Sequence, residues 1–596
     1  MEIKSRIEAL RNWLQQNSID AIILPSNDPH QSEYVAEHWK TREWISGFTG
    51  SAGTVVITQD HAGLWTDSRY FLQASEELQI GGLTLHKLVT QGEAEYLEWL
   101  ASELLEGKRV GIDKMLFSKD QVSYMDHIFA KDNIELVLIE DPFDFIWANR
   151  PSLPKEMIFE IDSSFTGQTR QERVKSVFQK LQEKGCSHML VTALDEVAWL
   201  LNLRGRDVSC NPVFIAYAMI HPAGVDLFVD NNKVSINLKE KLASEGVQLY
   251  PYSALEKYLS ELSVDVTLLL DNSKTAIALY EAVGTPKILE TISPITLLKA
   301  KKNATEQHFL RQAMIKDGVA LLKAHRWLEL KIEEGTPIEE SEFADYIALC
   351  RSQQQGYFGE SFDAIIGFKS NGAIVHYRPV KGQSASIEGR GLLLFDSGGQ
   401  YFDGTTDITR TICIGSPTQE EQKYYTLVLK GHIALAKAIF PEGTKGVQLD
   451  ILARQFLWAD MANYGHGTGH GVGFFMNVHE PPQGFVTGLN ERGKTSHEEG
   501  MYTSNEPGYY KEQSFGIRIE NLVLTQVYGK SDYGSFLCFE TITLYPIDTS
   551  LIDNTLLAPE EKYWLNQYHQ KVQTELLPFL NKEEQQWLID KCKPID

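Results

Sequence analysis

The 596-residue sequence predicts a multidomain protein of α/β and α+β class, with two α/β domains at 1–155 and 156–298 and a third, motif-rich region at 299–596. Three observations lead there. The chain is too long for one ordinary hydrophobic core and corresponds to roughly three or four domains. Its first half alternates helix-period and strand-like segments, the mark of α/β organisation. Nearly every motif with chemical content falls after residue 299.

The elements follow in order. Ile3, Ile7, Leu10 and Leu14 recur at helical spacing, so 2–16 reads as an amphipathic helix, followed by a strand at Ala21–Leu24. Charges between those apolar residues argue against a secretory leader. A second helical run at 170–184, with Val174, Val177, Phe178 and Leu181, precedes a strand at 189–192. Each half then reaches a tryptophan-containing stretch, at 44–48 and 199–203, and a strand-like run, at 53–57 and 213–220. That parallel suggests a duplication. Pro151 and Pro154 mark a boundary near 155, and Ser293-Pro294 marks another. Next comes a helix capped at Asn303 or Thr305. Thr418 and Glu421 form a capping box for a helix expected to run to about Phe440. From about 546 the motifs stop and a helical module follows. Its Leu556, Leu557, Trp564, Leu565, Tyr568, Leu576, Leu577, Phe579, Leu580, Trp587 and Leu588 must be covered by the catalytic region or by another subunit.

Composition narrows the function classes. Hydrophobic residues make up 43% and charged residues 23%, as in folded soluble proteins. The apolar runs are strand-sized, well short of the ~20 residues of a membrane span. A net charge of −24 with no dense Lys/Arg block argues against nucleic acid as a partner. Six scattered cysteines without a CxxC pair suit a reducing, cytoplasmic setting and argue against a structural zinc site.

Five residues stand out as a metal-binding set. Asp396 ends the apolar run 392–395, and Asp407 follows eleven residues later across an Asp403-Gly404 turn signal. A hairpin-like return brings the two carboxylates together, and a divalent cation removes their repulsion and desolvation penalty. In 465–473 glycine occupies every second position, so an extended backbone puts only glycine on one face. His466, Thr468, His470 and Val472 share the other face. Glu506 stands before Pro507 at an expected strand end, and Glu520 shares a face with Arg518. Aspartates, glutamates and one imidazole favour a hard to borderline ion such as manganese. Four carboxylates exceed what one divalent ion neutralises, which points to two ions.

The motifs at Asp396-Ser-Gly398, 405–410, 466–473, 478–480, 505–510 and 516–521 resemble those of the pita-bread metallopeptidases, and most closely the three-domain cytosolic Xaa-Pro aminopeptidases. The resemblance covers nearly the whole chain, including 46–53, 64–70 and 539–546; Ser68 departs from a usual glycine. It implies two creatinase-like α/β domains before a pita-bread catalytic domain. It implies two divalent metals, Mn2+ with Co2+ or Zn2+ as alternatives. Asp396 would bind one, His470 and Glu506 the other, and Asp407 and Glu520 both. His376, His479 and Glu506 take catalytic positions, and His466 and Arg518 substrate-binding ones. The implied partners are peptides with an N-terminal Xaa-Pro sequence and a second copy of the chain, as a homodimer. Alternatives are a prolidase-type dipeptidase, a methionine aminopeptidase, a metal-free creatinase-like enzyme and a catalytically inactive pita-bread binding protein.

Overall fold

A computed structural model of the chain describes residues 2–89 and 94–596. They form two compact units, Met1–Asp162 with Gln168–Thr296, and Ser163–Gly167 with Leu297–Asp596.

The first unit holds two six-stranded sheets. The helix Ile3–Gln16 buries Ile7, Leu10 and Leu14, as the periodicity requires. The strand Ala21–Leu24 is buried along its whole length and is central in the first sheet. Its residues alternate between two cores. Ile22 and Leu24 pack with Leu10 and Leu14, whereas Ala21 and Ile23 pack with Leu100 and Val122. Burial on both faces explains why this strand is apolar at every position.

The first sheet runs Thr84–Lys87, Ala62–Thr66, Thr54–Thr58, Ala21–Leu24, Arg109–Asp113, Glu135–Ile139. The second runs Val247–Pro251, Gly224–Val229, Ala216–His221, His188–Val191, Thr267–Leu270, Lys287–Glu290. In each, the earliest strand pairs antiparallel with the next and parallel with the fifth. The second and third strands are antiparallel, and the outer pairs are parallel. Strand order and direction therefore repeat throughout, and the weak sequence parallel is a repeated topology.

The second unit carries the motifs. Asn303 caps the long helix Ala304–Glu333 through a capping box with Glu306. A three-stranded sheet places Gly391–Ser397 between Ile365–Phe368 and Ile408–Ile414. A six-stranded sheet runs Ile439–Pro441, Gly534–Thr541, Asn521–Ser531, Tyr502–Asn505, Gly469–Gly471, Glu480–Phe485. Thr418 opens its helix with the expected capping box, but that helix ends at Ala436 rather than Phe440. Phe440 is buried and lies opposite Leu537 in a sheet-edge strand that ends in Pro441. Tertiary pairing there overrides helical propensity.

The helices Pro559–Leu576 and Lys582–Lys591 bury Leu565, Val572, Leu576 and Leu588 within their own chain. Glu329 of the long helix accepts from Trp587 Nε1 at 2.5 Å and Lys591 Nζ at 2.6 Å. Much of the apolar load of this module is thus buried in its own unit, while Leu556 and Phe579 stay exposed. Among the described residues, no helix is long and apolar enough to cross a membrane.

Candidate metal centre

Strand geometry gathers the five acidic and imidazole residues. Gly391–Ser397 pairs antiparallel with Ile408–Ile414, with Asp396 opposite Thr409 and Ser397 opposite Ile408. The short strands Gly399–Tyr401 and Gly404–Thr405 make the return between them, so Asp407 stands one residue before the paired segment. His470 lies mid-strand in Gly469–Gly471, between Glu480–Phe485 and Tyr502–Asn505. Glu506 follows directly on Tyr502–Asn505, and Glu520 lies between Phe515–Arg518 and Asn521–Ser531. The alternate glycines permit this packing. A Cβ on Gly469 would stand 1.9 Å from the Ser504 carbonyl oxygen, and one on Gly471 2.2 Å from that of Glu480.

One donor atom each from Asp407, His470 and Glu520 lies within 4.8 Å of the others. His470 Nε2 is 3.5 Å from Asp407 Oδ2 and 3.3 Å from Glu506 Oε1. Its Nδ1 faces the Gly471 carbonyl at 2.9 Å. A carbonyl only accepts, so in the neutral ring the proton sits on Nδ1 and the Nε2 lone pair is turned toward the carboxylate oxygens. Asp396 accepts from Arg518 Nη2 at 2.7 Å. Glu506 accepts from Ser504 Oγ at 3.0 Å and Glu520 from Thr409 Oγ1 at 2.8 Å.

The electrostatics are out of balance without a cation. Burial, then Asp396 and Glu506, pushes Asp407 well above the usual carboxylate range. Burial, then Asp407, does the same to Glu520. Glu506 is pushed up to about 7, first by burial, while Arg518 opposes the shift. One guanidinium does not offset this much negative charge. Asp396 Oδ1 and Glu520 Oε1 are buried without a hydrogen-bond partner among the described residues. Lone pairs facing carboxylates and orphaned carboxylate oxygens are what a divalent ion satisfies, so the residues fit the metals that the sequence implies.

The other expected residues lie around this cluster. The His479 ring is 4.3 Å from that of His470, edge to face. His376 is half-buried in a turn. The preceding Val375 carbonyl is 3.4 Å from Arg518 Nη2, and the following Tyr377 donates to Glu340 at 2.8 Å. His466 Nε2 accepts from the Tyr510 hydroxyl at 2.8 Å, and that hydroxyl accepts from Arg518 Nη1 at 2.7 Å. Arg518, expected at the substrate, is 2% exposed and is engaged by Asp396, Tyr510, Thr409 and the Val375 carbonyl. Its guanidinium thus backs Asp396. Sequence reasoning missed Thr409, Ser504 and Tyr510. Thr409 and Tyr510 lie within the metal motifs, but their partners Glu520 and His466 are distant in sequence, whereas Ser504 donates to Glu506 two residues on.

Comparison with known proteins agrees with this geometry. Residues 6–144 and 149–306 each match the creatinase/prolidase N-terminal domain, 308–526 match metallopeptidase family M24, and 535–595 match its C-terminal region. Xaa-Pro aminopeptidase 1 of Dictyostelium discoideum is 40% identical over 100% of this chain and 97% of its own. The chain belongs to metallopeptidase family M24, among the Xaa-Pro aminopeptidases. Aminopeptidase P2 of Arabidopsis thaliana is 39% identical over 97% of this chain and 86% of its own. The X-prolyl aminopeptidase of Caenorhabditis elegans, described as a cytosolic enzyme with a di-nuclear active site, superposes with a TM-score of 0.95 at 34% identity, covering 100% of both chains. The two α/β lobes of this M24 member are creatinase-type domains, and its catalytic unit has the pita-bread fold.

Proposed function

We propose that this chain releases the first residue from peptides with proline in second position, using two divalent ions held by Asp396, Asp407, His470, Glu506 and Glu520. The observation that supports this best is the buried convergence of Asp407, His470 and Glu520, with Glu506 3.3 Å from the imidazole. The prolidase-type and inactive-binding readings are not favoured, because the full-length relatives are aminopeptidases. We assign manganese as the ion, from the carboxylate-rich donor set. We also assign a cytoplasmic location and a homodimer, both resting on the family resemblance, and domain divisions near 155 and 298.

When bound, two divalent ions supply a deprotonated water at neutral pH and Lewis acidity at a carbonyl. The chain's own residues do the rest. Glu506, 3.3 Å from the His470 imidazole and backed by the Ser504 hydroxyl, is assigned to accept the proton. His479, against the His470 ring, is assigned to hydrogen-bond the oxyanion as it develops. His376, on a turn held by Arg518, is assigned to protonate or position the proline nitrogen. His466, oriented by Tyr510, lines the substrate side. The free α-ammonium is drawn to the acidic cluster, which makes the enzyme an exopeptidase. An Xaa-Pro bond has no N–H, so a site that needs none accepts it.

Matched Xaa-Pro-Xaa, Xaa-Ala-Xaa and Xaa-Pro substrates test this, with metal content measured on the same protein. Cleavage confined to the proline tripeptide, with about two metals per chain, is expected. Preference for the dipeptide would point to a prolidase, and absence of both metal and turnover to a binding protein.

A further inference from the structure

We propose that His432 is a positioning residue that sets the separation of Glu506 and Glu520. This rests on the reading of those two carboxylates as metal ligands. Glu506 follows the strand Tyr502–Asn505, and Glu520 precedes the strand Asn521–Ser531. Asn505 lies opposite Asn521 on the last rung of their ladder. Beyond that rung Glu506 and Glu520 stand opposite each other, and the pairing resumes where Ile519 N–H donates to the Pro507 carbonyl at 3.3 Å and Gly508 lies opposite Arg518. The hairpin pairing holds the far side of this carboxylate pair, and whatever clamps the Asn505–Asn521 rung holds the near side.

His432 is that clamp. It projects from the helix Gln419–Ala436 and is fully buried. Its Nδ1 is 3.1 Å from the Asn505 carbonyl oxygen and its Nε2 is 3.0 Å from Asn521 Nδ2. Its own carbonyl accepts from Asn505 Nδ2 at 2.9 Å. The proton positions are determined. The Asn505 carbonyl can only accept, so Nδ1 carries the hydrogen and Nε2 accepts from the Asn521 amide. That amide cannot turn over, because its Oδ1 accepts from Arg410 Nη2 at 2.8 Å and lies 3.2 Å from the Tyr568 hydroxyl. Arg410 also donates to the carbonyl of Glu520 at 2.5 Å. One ring thus holds the residue before one ligand and the residue after the other, and it touches neither carboxylate. Trp564 of the C-terminal module closes the far side of the ring at 6.0 Å, edge to face. A histidine needed only for packing would not require both nitrogens to be spent on these two asparagines.

The test is His432→Phe in the full-length protein, stripped by chelation and titrated with Mn2+ in a calorimeter, with melting of the stripped protein as control. Manganese affinity is expected to fall by about 10–100-fold, the usual cost of losing a partner behind a metal ligand. Undiminished affinity with only a lower melting temperature overturns the inference, because the ring then serves stability alone. His432→Gln is read if the phenylalanine variant does not fold. It keeps a polar end that cannot span both asparagines, so its affinity should also fall, and wild-type affinity would overturn the inference. Wild-type protein that takes up no manganese overturns the metal reading itself, and this inference with it.

Discussion

Asp407 and Glu520 carry opposite energetic roles with and without metal. Empty of cations, each is a buried carboxyl raised by its neighbours, so neutralising one relieves repulsion. Asp407→Asn and Glu520→Gln should therefore raise the melting temperature of chelated protein. The same variants should lose more activity than the roughly 10–100-fold typical of removing a partner behind a metal ligand. Melting and turnover on one set of samples check both signs. The pH dependence follows from Glu506. Its folded carboxyl sits at about 7 against a reference of 4.5, so between those values the folded state binds more protons than the unfolded chain. Stability of the chelated protein should fall as pH rises through that window, and metal loading, which holds Glu506 ionised, should remove the slope. Identical pH–melting curves for chelated and loaded protein would refute this assignment.

The glycine-alternating strand is where sequence and geometry meet most directly. Gly469→Ala drives a Cβ into the Ser504 carbonyl, which is backbone and cannot swing away. The strands bearing His470 and Glu506 must separate, so we expect loss of metal binding and destabilisation of about 3 kcal/mol or more. Calorimetric melting and metal titration of the variant measure both. His497 offers the reverse case. It is fully buried, stacks on Phe485 at 4.7 Å, and neither ring nitrogen has a hydrogen-bond partner among the described residues. His497→Phe should stabilise the protein by about 1–2 kcal/mol at unchanged activity, unless the larger ring overpacks the site. Melting temperature and turnover decide it, and a destabilised variant would show that shape outweighs the orphaned N–H. Elements of this kind differ in legibility. Asp396, Asp407, His470, Glu506 and Glu520 could be read from the chain because each sits in a patterned motif beside glycine or a turn. Thr409, Tyr510 and His432 could not, because their roles lie in hydrogen bonds to strands or helices about 40 to 110 residues away. The end of the helix at Ala436 was missed because pairing of 439–441 with a distant hairpin strand decided it.

At the scale of the whole molecule, the repeated six-stranded topology makes the first half a duplication, and the second half alone carries the metal motifs. The C-terminal helices bury Leu565, Val572, Leu576 and Leu588 in their own chain, and a homodimer rests on the family resemblance. Sedimentation over a wide concentration range is expected to show the dimer, and a single species at monomer mass up to tens of micromolar would reject it. The central claim is metal-dependent removal of one residue before proline. The most direct measurement is release of the first residue from an Xaa-Pro-Xaa peptide by chelated protein as manganese is added back. The account predicts no turnover at the start, a rise that levels off near two ions per chain, and no release when the peptide's amino group is acetylated. Full turnover in the metal-free sample, or equal turnover of blocked and free peptides, would contradict it.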